Sequence, residues 1–440
     1  MHLCDCFGVT RSLRSSLAGV YPFVSPEPDG AVVLHDGDIT VQVGERTMDA
    51  QGRVWLSVSD GLDVNWTVDV RVPLGEVELL LDRPDIGTVR VTGMVSNTGG
   101  SGYVPAAGLG GSGGLTRVIV HWFNLPAMLP AEPLAVRGGA YARRWVCEAM
   151  GWRLTVDQRE DHSVAVEEAR GASRAIFTHV GHLERVDGGP FSTKDASKVL
   201  HGWQVAFSFA TGRWVAPALP VGLDAEGKFV WEEWGPWRCS RYHGYFPWWD
   251  SHRSQDLCEL GRAFLEHWLD EDRHDALRYT AYHAVCASSD QATLEAKVML
   301  AQAGFEYLAW VTNVLEGGRS AGKYKDLSTD EKLSEMLDTA GIPQDIPGEF
   351  RALSSLAPSD KQTGPKAITW LRNRLVHPKD AAEPYRVESA LTNCWLLSLE
   401  YLDLLLLRRL GYQGQYLPRR PDRWAHDSVT VPWAPSTDSK

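Results

Sequence analysis

The segment Leu371-Arg372-Asn373-Arg374-Leu375-Val376-His377-Pro378 places an arginine and a histidine five positions apart, with an asparagine beside the arginine. Those side chains can perform phosphodiester chemistry without a metal. A guanidinium holds a phosphate through two parallel hydrogen bonds. An imidazole moves a proton near neutral pH. Spacing alone does not single this pair out. With 14 His and 33 Arg in 440 residues, chance supplies about one such pair. The chain holds five: Arg174/His179, Arg238/His243, Arg262/His267, Arg278/His283 and Arg372/His377.

Context separates them. Arg262/His267 and Arg278/His283 fall inside long helical patterns, where five positions turn the side chains roughly 140° apart. Arg174/His179 falls in a strand pattern, and an odd spacing there sends the two to opposite faces. Arg238/His243 lies in a Trp-rich stretch with no helix to fix it. Arg372/His377 differs because Pro378 pushes the residue before it out of the α region. The helix must stop at His377, which is then free to turn back toward an arginine held on rigid backbone. The plainer reading of the same residues is an ordinary helix end.

The elements around this segment read as helices from 251 onward. The stretch 254–287 has few turn signals, and Leu257, Leu260, Phe264, Leu265 and Trp268 recur at helical steps. A second long helix spans 292–315, with Leu294, Val298, Ala301, Phe305 and Leu308 as its apolar stripe and Gly317-Gly318 as its end. Ser328-Thr329-Asp330-Glu331 is a capping box. Pro365 suits a first helical turn, with helix over 367–376. Pro384 precedes a last helix over 386–410 that stops at Gly411.

Residues 20–250 instead show short alternating runs punctuated by Gly, Asp and Pro. Examples are Ile39-Thr40-Val41-Gln42-Val43, Trp66-Thr67-Val68-Asp69-Val70-Arg71-Val72 and Arg117-Val118-Ile119-Val120-His121-Trp122-Phe123. This texture suits a β-sandwich. The Gly-rich 96–114 reads as a flexible loop, and 197–209 fits helix or strand equally well. The expected fold is α+β in two domains, 1–250 β-rich and sandwich-like and 251–440 all-α.

The net charge is −12 and neither half is basic. That argues against a protein that coats long nucleic acid by counterion release, though not against a local grip on one phosphate. Eighteen Trp suit cores and binding faces alike. Seven Cys, with Cys4-Asp5-Cys6 too close for a zinc clip, fit reduced thiols in a cytoplasmic protein. Residues 1–24 hold no sustained apolar stretch of the signal-peptide kind, and 395–407 is interrupted by Glu400 and Asp403. No cofactor, metal or membrane partner is expected.

The Arg372-Asn373…His377 motif in its all-α setting resembles the HEPN superfamily of ribonucleases. The resemblance covers 290–415. Leu294-Glu295-Ala296 through Gly304-Phe305-Glu306-Tyr307-Leu308 is similar to that family's leading helix. Leu404-Leu405-Leu406-Leu407-Arg408-Arg409-Leu410-Gly411-Tyr412 is similar to the end of its closing helix. Phe207 to Arg213, Val221-Gly222 and Val230-Trp231 resemble the β-rich part of the ApeA-like group of anti-phage proteins, although this chain is short for that group. The resemblance implies a small helical HEPN bundle and metal-independent RNA cleavage. The 2′-OH attacks phosphorus and leaves a 2′,3′-cyclic phosphate. His377 would act as base or acid, Arg372 would stabilise phosphoryl charge and Asn373 would position either partner. It further implies a homodimer through the HEPN domain that pairs two motifs, with the apolar face 402–407 as its support. An RNA substrate such as tRNA, a phage-derived trigger and a role in abortive infection follow. Glu306 would pair with Arg372, and Lys379 would touch phosphate. The alternatives are a non-catalytic HEPN scaffold, or a β-rich domain that binds a phage protein or a carbohydrate.

Overall fold

The structure is a computed structural model describing residues 15–25, 27, 29–59, 61–136, 139–242 and 246–435. Cys4-Asp5-Cys6, most of the N-terminal stretch and His243 of the Arg238/His243 pair lie outside the described residues.

Six antiparallel strands come first: Val32–Val43 (β1), Arg46–Ser57 (β2), Asp63–Val68 (β3), Gly75–Arg83 (β4), Gly87–Asn97 (β5) and Ser101–Tyr103 (β6). They close into a barrel in the order β1-β2-β3-β6-β5-β4. Val41, Val54, Leu56, Val64, Trp66, Leu79 and Val91 are fully buried in its core. A sandwich was the expectation; the chain forms a barrel because β4 returns to pair with β1 through Leu79, Leu80 and Leu81. That leucine run carries no β-branched signature, so the closing strand has no mark of its own in the sequence.

An eight-stranded antiparallel sheet follows. Its strands are Ala107–Gly110 (β7), Arg117–Phe123 (β8), Glu132–Val136 (β9), Gly139–Ala149 (β10), Trp152–Gln158 (β11), Phe177–Arg185 (β12), Ala216–Leu223 (β13) and Phe229–Trp234 (β14). The order is β7-β14-β13-β8-β12-β11-β10-β9. The segment 96–114, expected as loop, supplies β6 and β7. Two helices interrupt the strands, His162–Ala172 (α1) and Thr193–Thr211 (α2). The second resolves the ambiguous 197–209 as helix, opened by a Ser192/Asp195 capping box. Trp203, Val205, Ala206, Phe207, Phe209 and Ala210 are at most 1% exposed. From Gly202 onward the helix is buried on every side and has no polar face, so that half of its pattern carries no period.

The sheet serves two cores. Val118, Val120 and Trp122 of β8 join a core with α2, whereas Ile119 and Phe123 join the barrel core. An ion pair at 2.9 Å between the partly buried Arg83 and the buried Glu232 fixes β4 of the barrel to β14 of the sheet.

The helices begin where the texture changes. They are Ser254–Leu269 (α3), Glu271–Ser288 (α4), Leu294–Trp310 (α5), Ala321–Lys325 (α6), Thr329–Ala340 (α7), Arg351–Leu356 (α8), Gly364–Val376 (α9) and Ala390–Arg409 (α10). The single helical stretch expected over 254–287 breaks at Asp270, whose side chain caps α4 by accepting from the Asp272 N–H. Gly317 follows a π-helical turn, Val311–Glu316, that extends α5. Helix α10 lies at the centre, against α4, α5, α7, α8 and α9. It is long and apolar enough to cross a membrane, but 89% of its apolar window is buried inside the protein.

The core beneath α2 runs on into α3, α4 and α10 without a break. Helices α2 and α3 meet at glycines. A Cβ on Gly261 would fall 2.2 Å from the Trp203 ring, and one on Gly202 would fall 2.6 Å from Leu265. Gly261→Ala is therefore expected to destabilise the chain by about 1–3 kcal/mol, the usual cost of overpacking. That exceeds the gain of up to about 1 kcal/mol in helix propensity. A lower midpoint in urea denaturation checks the sign.

The expectation of wholly reduced cysteines is corrected here. Cys147 on β10 and Cys258 on α3 form a disulfide with a Cα–Cα distance of 5.6 Å. The partners are 111 residues apart, a separation that no local spacing signals. Cys239, Cys286 and Cys394 are free.

Candidate functional site

Helix α9 carries the Arg372 motif. Pro365 stands in its first turn as expected. Gly364 sits so close to Tyr401 of α10 that a Cβ would lie 2.1 Å from the phenol oxygen. Ala367, Ile368 and Leu371 are fully buried and fix the helix in the bundle, in contact with α5, α7 and α10. Arg372 follows the last of these and is half-buried.

The helix ends at Val376. His377 caps it at φ −127° and ψ 68°, outside the helical region, as Pro378 requires. The His377 backbone N–H donates to the Asn373 carbonyl at 2.8 Å, and the imidazole is exposed. Arg372 Nη1 donates to Asn373 Oδ1 at 3.1 Å. The Arg372 Nε is buried without a partner among the described residues. The structure thus brings Arg372 and Asn373 into direct contact and suspends His377 from Asn373 by its backbone. No hydrogen bond joins the Arg372 and His377 side chains among the described residues.

The neighbouring arginines are occupied. Arg374 pairs with Glu383 at 2.9 Å, and Arg386 pairs with Asp380. Among the described residues Arg372 has no carboxylate partner. Glu306, expected to pair with it, instead accepts from Gln302 on its own helix at 3.4 Å. Lys379 is exposed. The loop after His377 has a fixed shape. The Ala382 N–H and Arg386 together hold the Asp380 carboxyl below its ordinary range. Tyr385 donates to Glu295 of α5 at 2.8 Å.

The other Arg/His pairs have structural roles. Arg262 of α3 donates to the Glu148 carbonyl at 3.0 Å, and His267 bonds the Ala263 carbonyl. Arg278 pairs with Asp275 on α4, and His283 bonds the Tyr279 carbonyl. His179 is buried in the sheet with its ring 5.4 Å from His162, and burial holds it well below the ordinary imidazole range. Arg174 precedes that strand instead of lying in it.

Two clusters had no signal in the sequence. Asp250, His252 and His426 converge although the last is 176 residues from the first. Arg419 is buried between Asp403 and Glu400 of α10.

This chain is similar to YopA proteins. The model of the YopA central domain matches residues 110–245 and that of the YopA C-terminal domain matches 270–430. The first match covers the eight-stranded sheet from β8 to β14, with α1 and α2. The second covers most of the helices and includes Arg372, Asn373, His377 and His426. The barrel lies ahead of both, and Asp250 and His252 fall between them. A curated relative is the "SPbeta prophage-derived uncharacterized protein YopA" of Bacillus subtilis (strain 168), 29% identical over 276 residues. That alignment spans 61% of this chain and 60% of the relative's length. No solved structure matches.

Proposed function

We propose that this chain is a metal-independent endoribonuclease of the HEPN kind. The observation that carries the reading is Arg372. It stands on a helix fixed in the core, is oriented by Asn373 and, among the described residues, carries no carboxylate, while Arg374 and Arg386 beside it in the chain are paired. A guanidinium held in place without a counter-ion suits a phosphoryl group that gains charge in the transition state. His377, exposed at the broken helix end, acts as the proton carrier. One motif supplies one imidazole, whereas in-line transfer needs a base and an acid. Two copies therefore face each other through their α9 ends, with a structured RNA such as a tRNA between them. The prophage origin in the name of the relative supports a setting in phage–host conflict and abortive infection. The reading places the chain in the cytoplasm with its RNA. Cys147 and Cys258 are at most 3% exposed, and such burial restricts access by attacking thiols.

The test is incubation of the chain with total RNA in excess chelator, followed by mapping of the ends. Cyclic 2′,3′-phosphate ends are expected with the native chain and not with His377→Ala. Cleavage that survives in His377→Ala removes that residue from the mechanism.

A further inference from the structure

We infer that Asp250, His252 and His426 form a binding site for a divalent transition-metal ion that clasps the C-terminal tail to the segment leading into α3. His426 Nδ1 lies 2.7 Å from Asp250 Oδ1 and 2.8 Å from His252 Nδ1. The third edge, His252 Nδ1 to Asp250 Oδ1, is 3.5 Å. Ligand atoms bonded to one tetrahedral Zn²⁺ lie about 3.3 Å from each other, given bond lengths near 2.0 Å. The three edges bracket that spacing.

Hydrogen bonding alone serves this arrangement poorly. The His426 Nδ1 lies within hydrogen-bond distance of both a carboxylate oxygen and a second imidazole nitrogen. If it carries a hydrogen, that single N–H is divided between two acceptors 3.5 Å apart and cannot be linear to both. If it carries none, its lone pair faces the carboxylate. A cation shared by three lone pairs satisfies all three atoms at once.

Two independent features support a ligand here. His426 adopts φ +64°, a left-handed conformation that costs a non-glycine residue energy and is concentrated at functional positions. That backbone turn belongs to the tail that carries its ring to Asp250. In addition, Asp250 is 5% exposed and already oriented. The Ser428 hydroxyl donates to its Oδ2 at 3.2 Å and the His252 N–H to its Oδ1 at 3.0 Å. Outer contacts of this kind hold a ligating carboxylate in place.

The ligand set narrows the ion. Two imidazoles and one carboxylate suit Zn²⁺ and its neighbours in the first transition row, not Mg²⁺ or Ca²⁺, which take oxygen ligands. The two rings are half-exposed, at 51% and 50% of their side-chain surface, beside a 330 Å³ cavity bordered by Trp249 and Trp424. A fourth coordination position therefore opens to solvent, as in sites that admit water or a substrate atom. The tail is otherwise fastened here by the Leu417 N–H on the Trp248 carbonyl and by Arg423 on the Pro247 carbonyl. The site is separate from Arg372 and does not depend on the ribonuclease reading.

The test uses the untagged full-length chain, stripped with EDTA and titrated with Zn²⁺ and with Co²⁺. One equivalent is expected to bind at micromolar affinity or tighter, with visible Co²⁺ bands free of thiolate charge transfer. At a hundredfold excess of Zn²⁺ over Kd the folded-to-unfolded ratio rises about 100-fold, and Mg²⁺ produces no such shift. His252→Ala and His426→Asn each weaken binding at least tenfold and abolish the Zn²⁺-dependent shift in Tm. Asparagine is chosen because it tolerates the left-handed backbone. The inference is overturned if the native chain binds neither ion at micromolar concentration. It is equally overturned if both variants bind as the native chain does, which would assign the ion to the cysteines.

Discussion

Replacing Arg419 with alanine is expected to destabilise the chain by about 3–5 kcal/mol, and by more at pH 8 than at pH 5. Arg419 is 1% exposed. Its Nε donates to Asp403 Oδ2 at 2.7 Å, and its backbone N–H donates to Glu400 Oε2 at 2.8 Å. Tyr416 donates to the other Glu400 oxygen at 3.2 Å. Both acids sit on α10, within the most apolar stretch of the chain. Burial pushes the Asp403 carboxyl up to about 6, against the opposing pull of Arg419, and pushes Glu400 up as well.

The sign follows from where the proton is held more tightly. The folded Asp403 binds its proton more strongly than the unfolded one does. Stability from this group is therefore full below its ordinary value of 3.8 and falls as pH rises through about 6. Without Arg419 the carboxyl moves higher still, and the ionised form at pH 8 is buried without its hydrogen-bonded partner, with only the more distant charge of Arg423 opposing it. Lowering the pH to 5 protonates it and recovers part of the loss. Urea midpoints at the two pH values measure this. A loss below 1 kcal/mol, or one that does not change with pH, would show that the pair is not coupled as described. A joint Arg419→Met and Asp403→Leu replacement is expected to cost less than Arg419→Ala alone, because no charge is left unpaired.

The second large effect is on catalysis. Under the proposed function, Arg372→Ala is expected to slow RNA cleavage by about 10²–10³-fold, the usual cost of removing one donor to a developing oxyanion. Stability should change by no more than about 0.5 kcal/mol, because the residue is only half-buried and makes no ion pair among the described residues. Arg372→Lys should recover little, since an ammonium lacks the planar fork. Single-turnover cleavage of an RNA mixture, measured beside thermal unfolding, separates the two readings. If Arg372→Ala unfolds the chain instead of silencing it, the residue is a bundle strut and the scaffold alternative gains.

Local signals in the sequence were reliable where the physics is local. Ser328 and Glu331 form the capping box that their spacing announced. Pro365 opens α9, and Pro378 turns His377 out of the helix. The change of texture near 251 marks the start of α3 at Ser254. What depended on distant partners was not legible. Barrel closure rests on β4 finding β1 across an unmarked leucine run. Helix α2 hid its type because its second half, Gly202 to Thr211, is buried on every side. Arg372 was legible as a residue, but the contact of Glu306 with Gln302 on its own helix was not, since the sequence does not set which turn of α5 faces α9. Asp250 and His426, 176 residues apart, meet only because the tail folds back.

The central sheet has a consequence for how such a chain can change. Strand β8 sends alternate side chains into two different cores. Inserting or deleting one residue within it would exchange both sets at once, placing Trp122 and Val120 in the barrel and Phe123 and Ile119 under α2. Neither core can absorb that exchange. Descendants of this chain can lengthen the barrel's hairpin tips freely, while the length of β8 stays fixed. Variation in residue count should therefore gather at the barrel's turns and leave this interior strand of the sheet untouched.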